Sequence, residues 1–526
     1  MIFLAGISYG QEAIPKLEVE EEYQIIGKDT RVFSIRGERI STVEYNAVPL
    51  RLVQEERTII SSEGLISEDE RLRRKETFNA IKGLSAWGHY SFGAHKTNTF
   101  FGKVDYNAGT MAASMTLHNR FSEENTAQNT APLSQVVEVN GFLDTRVADY
   151  SLSLGFSRDE DDSLSHSFRP GNHEVNRYRT LLMVKPSILE SWNPVGRISV
   201  EGGTYSNYEK PSNTSTLIDE NELDIDGSVS FSGKIFKFTV SGETDIEFIK
   251  LGGDSGTLFS TGGKGNWLFF NRIGVHAGAN FHAYELPGET TNTKVYPEFG
   301  LDWALTPGIF LKAQFKPGII SHSFGDMFER NGLITMAVPL LFEDRSNDLS
   351  GEFGFRTQGG LSVSFGGFAF KSKHSPVFSR TGDFFEIVKN AEVELTGYRV
   401  KTEYLKKDLW GINGIVNVNN ADWKFLGNVP YIPNMDAIFD GYYIPHKFWK
   451  IRTSLNYIGK HYVETNKSDS ENSFVIIDLG VDREIYKQYI SMYLDLRNMT
   501  NSEGSWWTGR YNVPGIGMYI GLKAHY

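Results

Sequence analysis

From residue 83 to the C-terminus, hydrophobic and polar positions alternate with a period of two. Tyr150, Leu152, Leu154 and Phe156 alternate with Ser151, Ser153 and Gly155. Val275, Ala277, Ala279, Phe281 and Ala283 alternate with His276, Gly278, Asn280 and His282. Ala86, Gly88, Tyr90, Phe92 and Ala94 alternate with Trp87, His89, Ser91 and His95, less cleanly because Trp87 falls on the more polar side. One apolar face and one polar or glycine face describe a strand lying between two different solvents. The pattern predicts 22 strands, the first at 83–95 and the last at 514–526.

A globular sandwich also alternates, so the connections decide. Gaps after even-numbered strands are mostly 0 to 4 residues, with one of 8. Gaps after odd-numbered strands are mostly 8 to 19, with one of 31 and one of 1. One end of the sheet therefore has tight turns and the other long loops, an asymmetry that belongs to a barrel with short periplasmic turns and long extracellular loops. The predicted fold is an all-β transmembrane outer-membrane β-barrel of about 22 antiparallel strands. The 444 residues of 83–526 leave room for the ~9–11 residues that a tilted strand needs to cross a bilayer.

Composition narrows the picture. The chain has 526 residues, no Cys and a formal charge of −12. The lack of Cys rules out a disulfide scaffold, a thiolate metal site and a Cys nucleophile. The acidic balance argues against a nucleic-acid partner. No window approaches the ~18 apolar residues of a membrane helix, which says nothing against a barrel, whose strands average out to modest hydropathy. At the N-terminus, the apolar run 2–7 precedes Ser8 and Gly10, which suit a signal-peptidase site, so residues 1–10 are expected to be a clipped secretion signal. Residues 16–80 carry 14 acidic and 11 basic side chains, too polar for a sizeable core. Residues 11–82 are expected to form an extension outside the membrane, periplasmic or lumenal, with one amphipathic helix at 70–84.

Several segments of the C-terminal half carry a resemblance. Val429-Pro430-Tyr431-Ile432-Pro433-Asn434 precedes a late strand, and Tyr457-Ile458-Gly459 follows it. Next come Leu496-Arg497-Asn498-Met499-Thr500 and Tyr511-Asn512-Val513-Pro514-Gly515, with 315–355 as a long loop and descending strand upstream. In order and spacing, these pieces resemble the barrel of TonB-dependent receptors, and 22 strands agree with it. The resemblance implies uptake of a nutrient or chelate across the outer membrane of a Gram-negative-type cell. The alternative is a plugless structural subunit of an outer-membrane complex. That family carries a globular plug; residues 18–27 resemble its beginning, and nothing resembling the plug follows. The expected partners are outer-membrane lipid, TonB or another envelope protein, and the barrel-assembly machinery. The last recognises a C-terminal strand such as 519–526, which ends on Tyr526.

Little of the remaining chemistry survives scrutiny. Gly253-Asp254-Ser255-Gly256 spells a serine-protease tetrapeptide but falls in a predicted outer loop, 249–263. Gly6-Ile7-Ser8-Tyr9-Gly10 matches a nucleophile elbow where no strand–helix turn is expected. Gly262-Gly263-Lys264 lacks the remainder of a phosphate loop. His276 and His282 would be roughly 20 Å apart along one strand, too far to share a metal, and read as lumen-lining residues. Asp159-Glu160-Asp161-Asp162 reads as a solvated outer loop or a divalent-cation site. The longest connection, 318–348, contains the apolar run 333–342, either buried against neighbouring loops or exposed to a partner. Trp506, Trp507 and Tyr511 suit an interface girdle. No catalytic, cofactor-binding or metal residue is assigned, and no enzymatic activity is expected.

Overall fold

In a computed structural model, the described residues are 83–93, 97–108, 111–122, 133–145, 147–161, 171–186, 192–209, 216–235, 238–251, 254–269, 272–285, 290–306, 308–324, 327, 341–357, 359–381, 384–406, 409–423, 427–463, 470–486, 489–504 and 515–525. The signal and extension expected at 1–82, and Trp506, Trp507, Tyr511 and Asp162, lie outside them.

Alternating side chains become strands because each strand satisfies its backbone only through its neighbours, and closing the sheet leaves no edge in the lipid. The first strands are β1 (Gly83–Gly93), β2 (Thr97–Asn107), β3 (Met111–Ser122), β4 (Leu133–Asp144), β5 (Ala148–Asp161), β6 (Gly171–Pro186) and β7 (Val195–Glu209). They continue with β8 (Thr216–Ile235), β9 (Phe238–Leu251), β10 (Asp254–Phe269), β11 (Ile273–Glu285), β12 (Asn292–Thr306), β13 (Ile309–Phe315) and β14 (Gly318–His322). Next are β15 (Leu341–Arg356), β16 (Leu361–Thr381), β17 (Phe384–Lys406), β18 (Trp410–Trp423), β19 (Gly427–Asn428), β20 (Met435–His446) and β21 (Trp449–Ile458). The last are β22 (His461–Tyr462), β23 (Ser470–Glu471), β24 (Phe474–Tyr486), β25 (Ile490–Arg497) and β26 (Gly517–His525).

All pairings are antiparallel, and β1 pairs both β2 and β26, with Tyr90 opposite Leu522. The ring is therefore closed. It has 22 staves, because β13 and β14 are two parts of one stave, β19 only lengthens a hairpin, and β22 with β23 forms a separate small sheet. Leu84, Tyr90 and Phe92 on β1 and Met518, Ile520 and Leu522 on β26 project outward and are exposed. Ser91, between Tyr90 and Phe92, is buried on the lumenal side. This apolar exterior fits the hydrocarbon of a bilayer.

On the outer side the strands run further than their alternation predicts, so three expected loops are corrected. Residues 254–263 belong to β10, which pairs with β9 up to Asp254 opposite Leu251, and the outer loop expected at 249–263 shrinks to a hairpin tip. β16 and β17 pair up to Thr381 opposite Phe384 across a predicted 19-residue gap, with irregularities between Ser372 and Val377. Asp159, Glu160 and Asp161 lie in β5, in register with β6, and so do not form part of a loop. Above the membrane both faces of a hairpin meet water or protein, so nothing requires alternation there, and the backbone ladder alone keeps the strand regular.

One stave leaves the wall. The β12–β13 ladder ends at Phe299 opposite Phe315, and Lys316 donates its backbone N–H to Asp348. Pro317 follows and has no N–H to continue the ladder. Beyond it β14 pairs only with β15 among the described strands, while the upper part of β12 remains on β11.

Candidate functional site: the lumenal mouth

Register assigns the side chains of β7–β12 to one face or the other. On β8, Ile225 and Val229 are exposed to the outside, so Glu222, Asp224, Asp226 and Ser228 face the lumen. Across the ladders, Asp224 stands opposite Glu201 of β7 and Ile249 of β9, and Asp226 opposite Glu247. Glu243 and Asp245 complete the same face of β9. Seven carboxylates thus line one sector of the lumen. Arginines from β6 and β7 accompany them: Arg177 and Arg179 lie 3.5 and 3.8 Å from Glu201, and Arg197 lies 4.0 Å from Asp226.

The next strands present a mixed wall. Ser260 Oγ lies 2.7 Å from His282 Nδ1, and the His282 ring meets Tyr296 edge-on. Lower down, Glu298 lies 3.7 Å from Lys264 Nζ and 4.0 Å from His276 Nε2. The His276 ring lies against Gly300, so close that a Cβ there would clash with it.

The stave that leaves the wall folds across this surface. Ile319 of β14 and Phe342 of β15 are buried with Leu258, Tyr284 and Tyr296 from the lumenal faces of β10–β12. Asp344 accepts hydrogen bonds from Tyr296 and Lys294. Ser321 donates to Glu247 of β9 at 2.7 Å, and the backbone N–H of Phe324 donates to Glu222 of β8 at 2.6 Å. The Phe324 ring meets Tyr205 of β7 edge-on at 5.4 Å, and the Tyr205 hydroxyl also donates to Glu222. Phe324 and Met327 are both 0% exposed. On its other side, Glu343 is fully buried, 2.8 Å from His322 Nε2 and 3.1 Å from Arg345 Nη2, and it accepts from Ser375 of β16. The Arg345 guanidinium stacks on Phe370 at 4.6 Å. This arm therefore touches the wall from β7 to β12 and again at β16.

A second segment also turns inward. Val429 joins a buried cluster with Phe368, Phe370, Val377, Ala391, Val393 and Leu395, against which Ile432 packs. Tyr431 sits at φ 62°, a left-handed conformation held by hydrogen bonds from its N–H to Tyr462 and from the Asn434 N–H to Lys460. Asp436 beneath it accepts from Asn417 at 2.7 Å and from Asn419 at 3.0 Å.

Of the residues singled out in the sequence, His276 and His282 line the lumen at separate levels, as expected. Ser255 stands at the exposed hairpin tip, and Gly262, Gly263 and Lys264 lie within β10. Of the apolar run 333–342, Phe342 is buried against the wall, and 333–340 lie outside the described residues. Among the described residues no three His, Asp or Glu side chains are placed to hold a metal ion. Alternation did not point to the carboxylate sector or the arm. The available signals were Pro317 directly after a strand and the density of Asp and Glu at lumenal positions of 201–247.

No family model and no curated protein matches the chain. Solved structures do. The FrpB iron transporter from Neisseria meningitidis superposes with a TM-score of 0.68 at 11% identity, over 85% of this chain and 83% of that one. The ferric yersiniabactin uptake receptor FyuA from Yersinia pestis gives 0.63 at 11% identity, over 85% and 80%. The siderophore receptor PiuA from Acinetobacter baumannii gives 0.64 at 10% identity, over 85% and 82%. The chain has the barrel of the TonB-dependent receptors. The 22 staves, their closure and the apolar exterior make it a barrel of the outer-membrane type.

Proposed function

We propose that this TonB-dependent-receptor-like barrel takes part in uptake of a nutrient or metal chelate across the outer membrane. The observation that carries the reading is a lumenal face of charged and hydrogen-bonding side chains inside a closed 22-stave ring. Barrels of that size hold a plugged or solute-conducting lumen, whereas a purely structural ring gains nothing from an acidic interior. The similar structures include transporters and receptors for iron, copper and siderophores, which supports the same class of cargo. TonB is the partner this reading requires, and the barrel-assembly machinery is the proposed reader of β26. No catalytic role is assigned.

The test is uptake in a Gram-negative host deleted for its own metal receptors, with and without TonB. Radiolabelled iron and copper are supplied as free ions, citrate complexes and siderophore chelates. TonB-dependent uptake of one of them is the expected outcome. A correctly assembled barrel that admits none, and that co-purifies one-to-one with another envelope protein, overturns the proposal in favour of a structural subunit.

A further inference from the structure

We propose that the periplasmic rim of β17–β24 holds the phosphate of an anionic phospholipid from the periplasmic leaflet of the outer membrane. The register places the cations of this rim on the lipid side. Leu522, which projects outward from β26, pairs with Met492 of β25, Met492 with Arg483 of β24, and Arg483 with Trp449 of β21. A second row runs from the outward Ile520 to Tyr443 of β20, Trp410 of β18 and Lys406 of β17. Side chains along one row share a face, so Arg483 and Lys406 stand among apolar and aromatic neighbours on the side that meets the bilayer. Both lie within a few residues of the short turns 407–409 and 487–489, and hence at the periplasmic boundary. The Arg483 guanidinium lies 4.9 Å from the Trp449 ring, and Lys447 Nζ, in the turn between β20 and β21, lies 4.7 Å from the Phe448 ring. Tyr404 and Trp410 stack at 4.3 Å beside Lys406. The turns are tied into one rim, because the Ile444 N–H donates to Leu409 and the Glu484 N–H to Phe448. Asp482, next to Arg483 in sequence, points the other way and is held on the lumenal face by Arg452 at 2.6 Å. Among the described residues none of the three cations is paired with a carboxylate. A cation on a lipid-facing wall needs a counter-charge, and aromatic rings at this depth sit at headgroup level. A phosphate supplies that charge, since a guanidinium grips it with two hydrogen bonds and an ammonium attracts it as a point charge. The acyl chains then lie along the apolar rows above.

In the test, the purified full chain in detergent is titrated with phosphatidylglycerol and, separately, with phosphatidylcholine of the same acyl chains. Bound lipid is counted by native mass spectrometry. Phosphatidylglycerol is expected to bind about fivefold or more tighter, since one basic residue beside an anionic headgroup contributes about that factor. Arg483→Ala is expected to weaken phosphatidylglycerol binding by about fivefold, and Lys406→Ala, Lys447→Ala and Arg483→Ala combined by about tenfold or more, with phosphatidylcholine binding unchanged. Arg272→Ala removes an exposed cation from the β10–β11 turn and serves as the control. Assembly of each variant is checked by heat-modifiable electrophoretic mobility, and Arg483→Ala alone decides if the triple variant does not assemble. Equal binding of the two lipids by the unaltered chain overturns the proposal. So does a loss of phosphatidylglycerol no greater than that in Arg272→Ala, or an equal loss of both lipids. Neither lipid is cargo, so a failed transport assay leaves this result standing.

Discussion

At the scale of single residues, the clearest commitment is the buried group of Glu343, Arg345 and His322. Both Glu343 and Arg345 are almost wholly excluded from solvent, so each charge depends on its partner. Removing one member of a buried pair typically costs about 3–5 kcal/mol, while replacing both with apolar residues costs far less. Glu343→Leu is therefore expected to destabilise the protein by about that amount, and Glu343→Leu with Arg345→Leu to recover most of it. Urea titration of folding into lipid vesicles measures both; equal losses in the single and double variants would contradict a mutually dependent pair. Gly300 shows another local constraint. Gly300→Ala must displace the His276 ring, and pairing it with His276→Ala is expected to restore the lost stability, read in the same titration.

At the scale of one strand, neighbours in sequence belong to different solvents. Val229 is exposed on the lipid side of β8, and Ser228 faces the lumen opposite Asp245. Val229→Arg is expected to cost about 2–4 kcal/mol, the usual penalty for a cation facing hydrocarbon near the bilayer middle. Ser228→Arg places the same charge beside a carboxylate and is expected to change stability by less than about 1 kcal/mol. Similar costs for the two would mean that the register of β8 is wrong. The difference between the strand lengths expected and found has the same origin. Alternation marks the part of a strand that separates lipid from lumen, and it fades toward the outer ends of β8, β16 and β17. Those extensions exist because the backbone ladder continues, not because side chains demand it.

At the scale of the whole molecule, closure of the sheet should leave a compact species in cold detergent that shifts in electrophoretic mobility only on boiling. That shift is the expected signature of the β1–β26 seam.

The sequence by itself determined the class of fold, the number of staves and the assignment of faces. Lipid on one side and a polar lumen on the other impose a period of two that needs no tertiary information to read. It also placed His276 and His282 on one lumenal face and ordered the late segments at 429–434, 457–459 and 496–500. What only the tertiary structure decided was the arrangement at the mouth. Glu222 and Phe324, like Glu247 and Ser321, are far apart in the chain and meet only because β14 leaves the wall after Pro317. The acidic character of β7–β9 is likewise a property of the register between strands, which alternation within one strand does not specify.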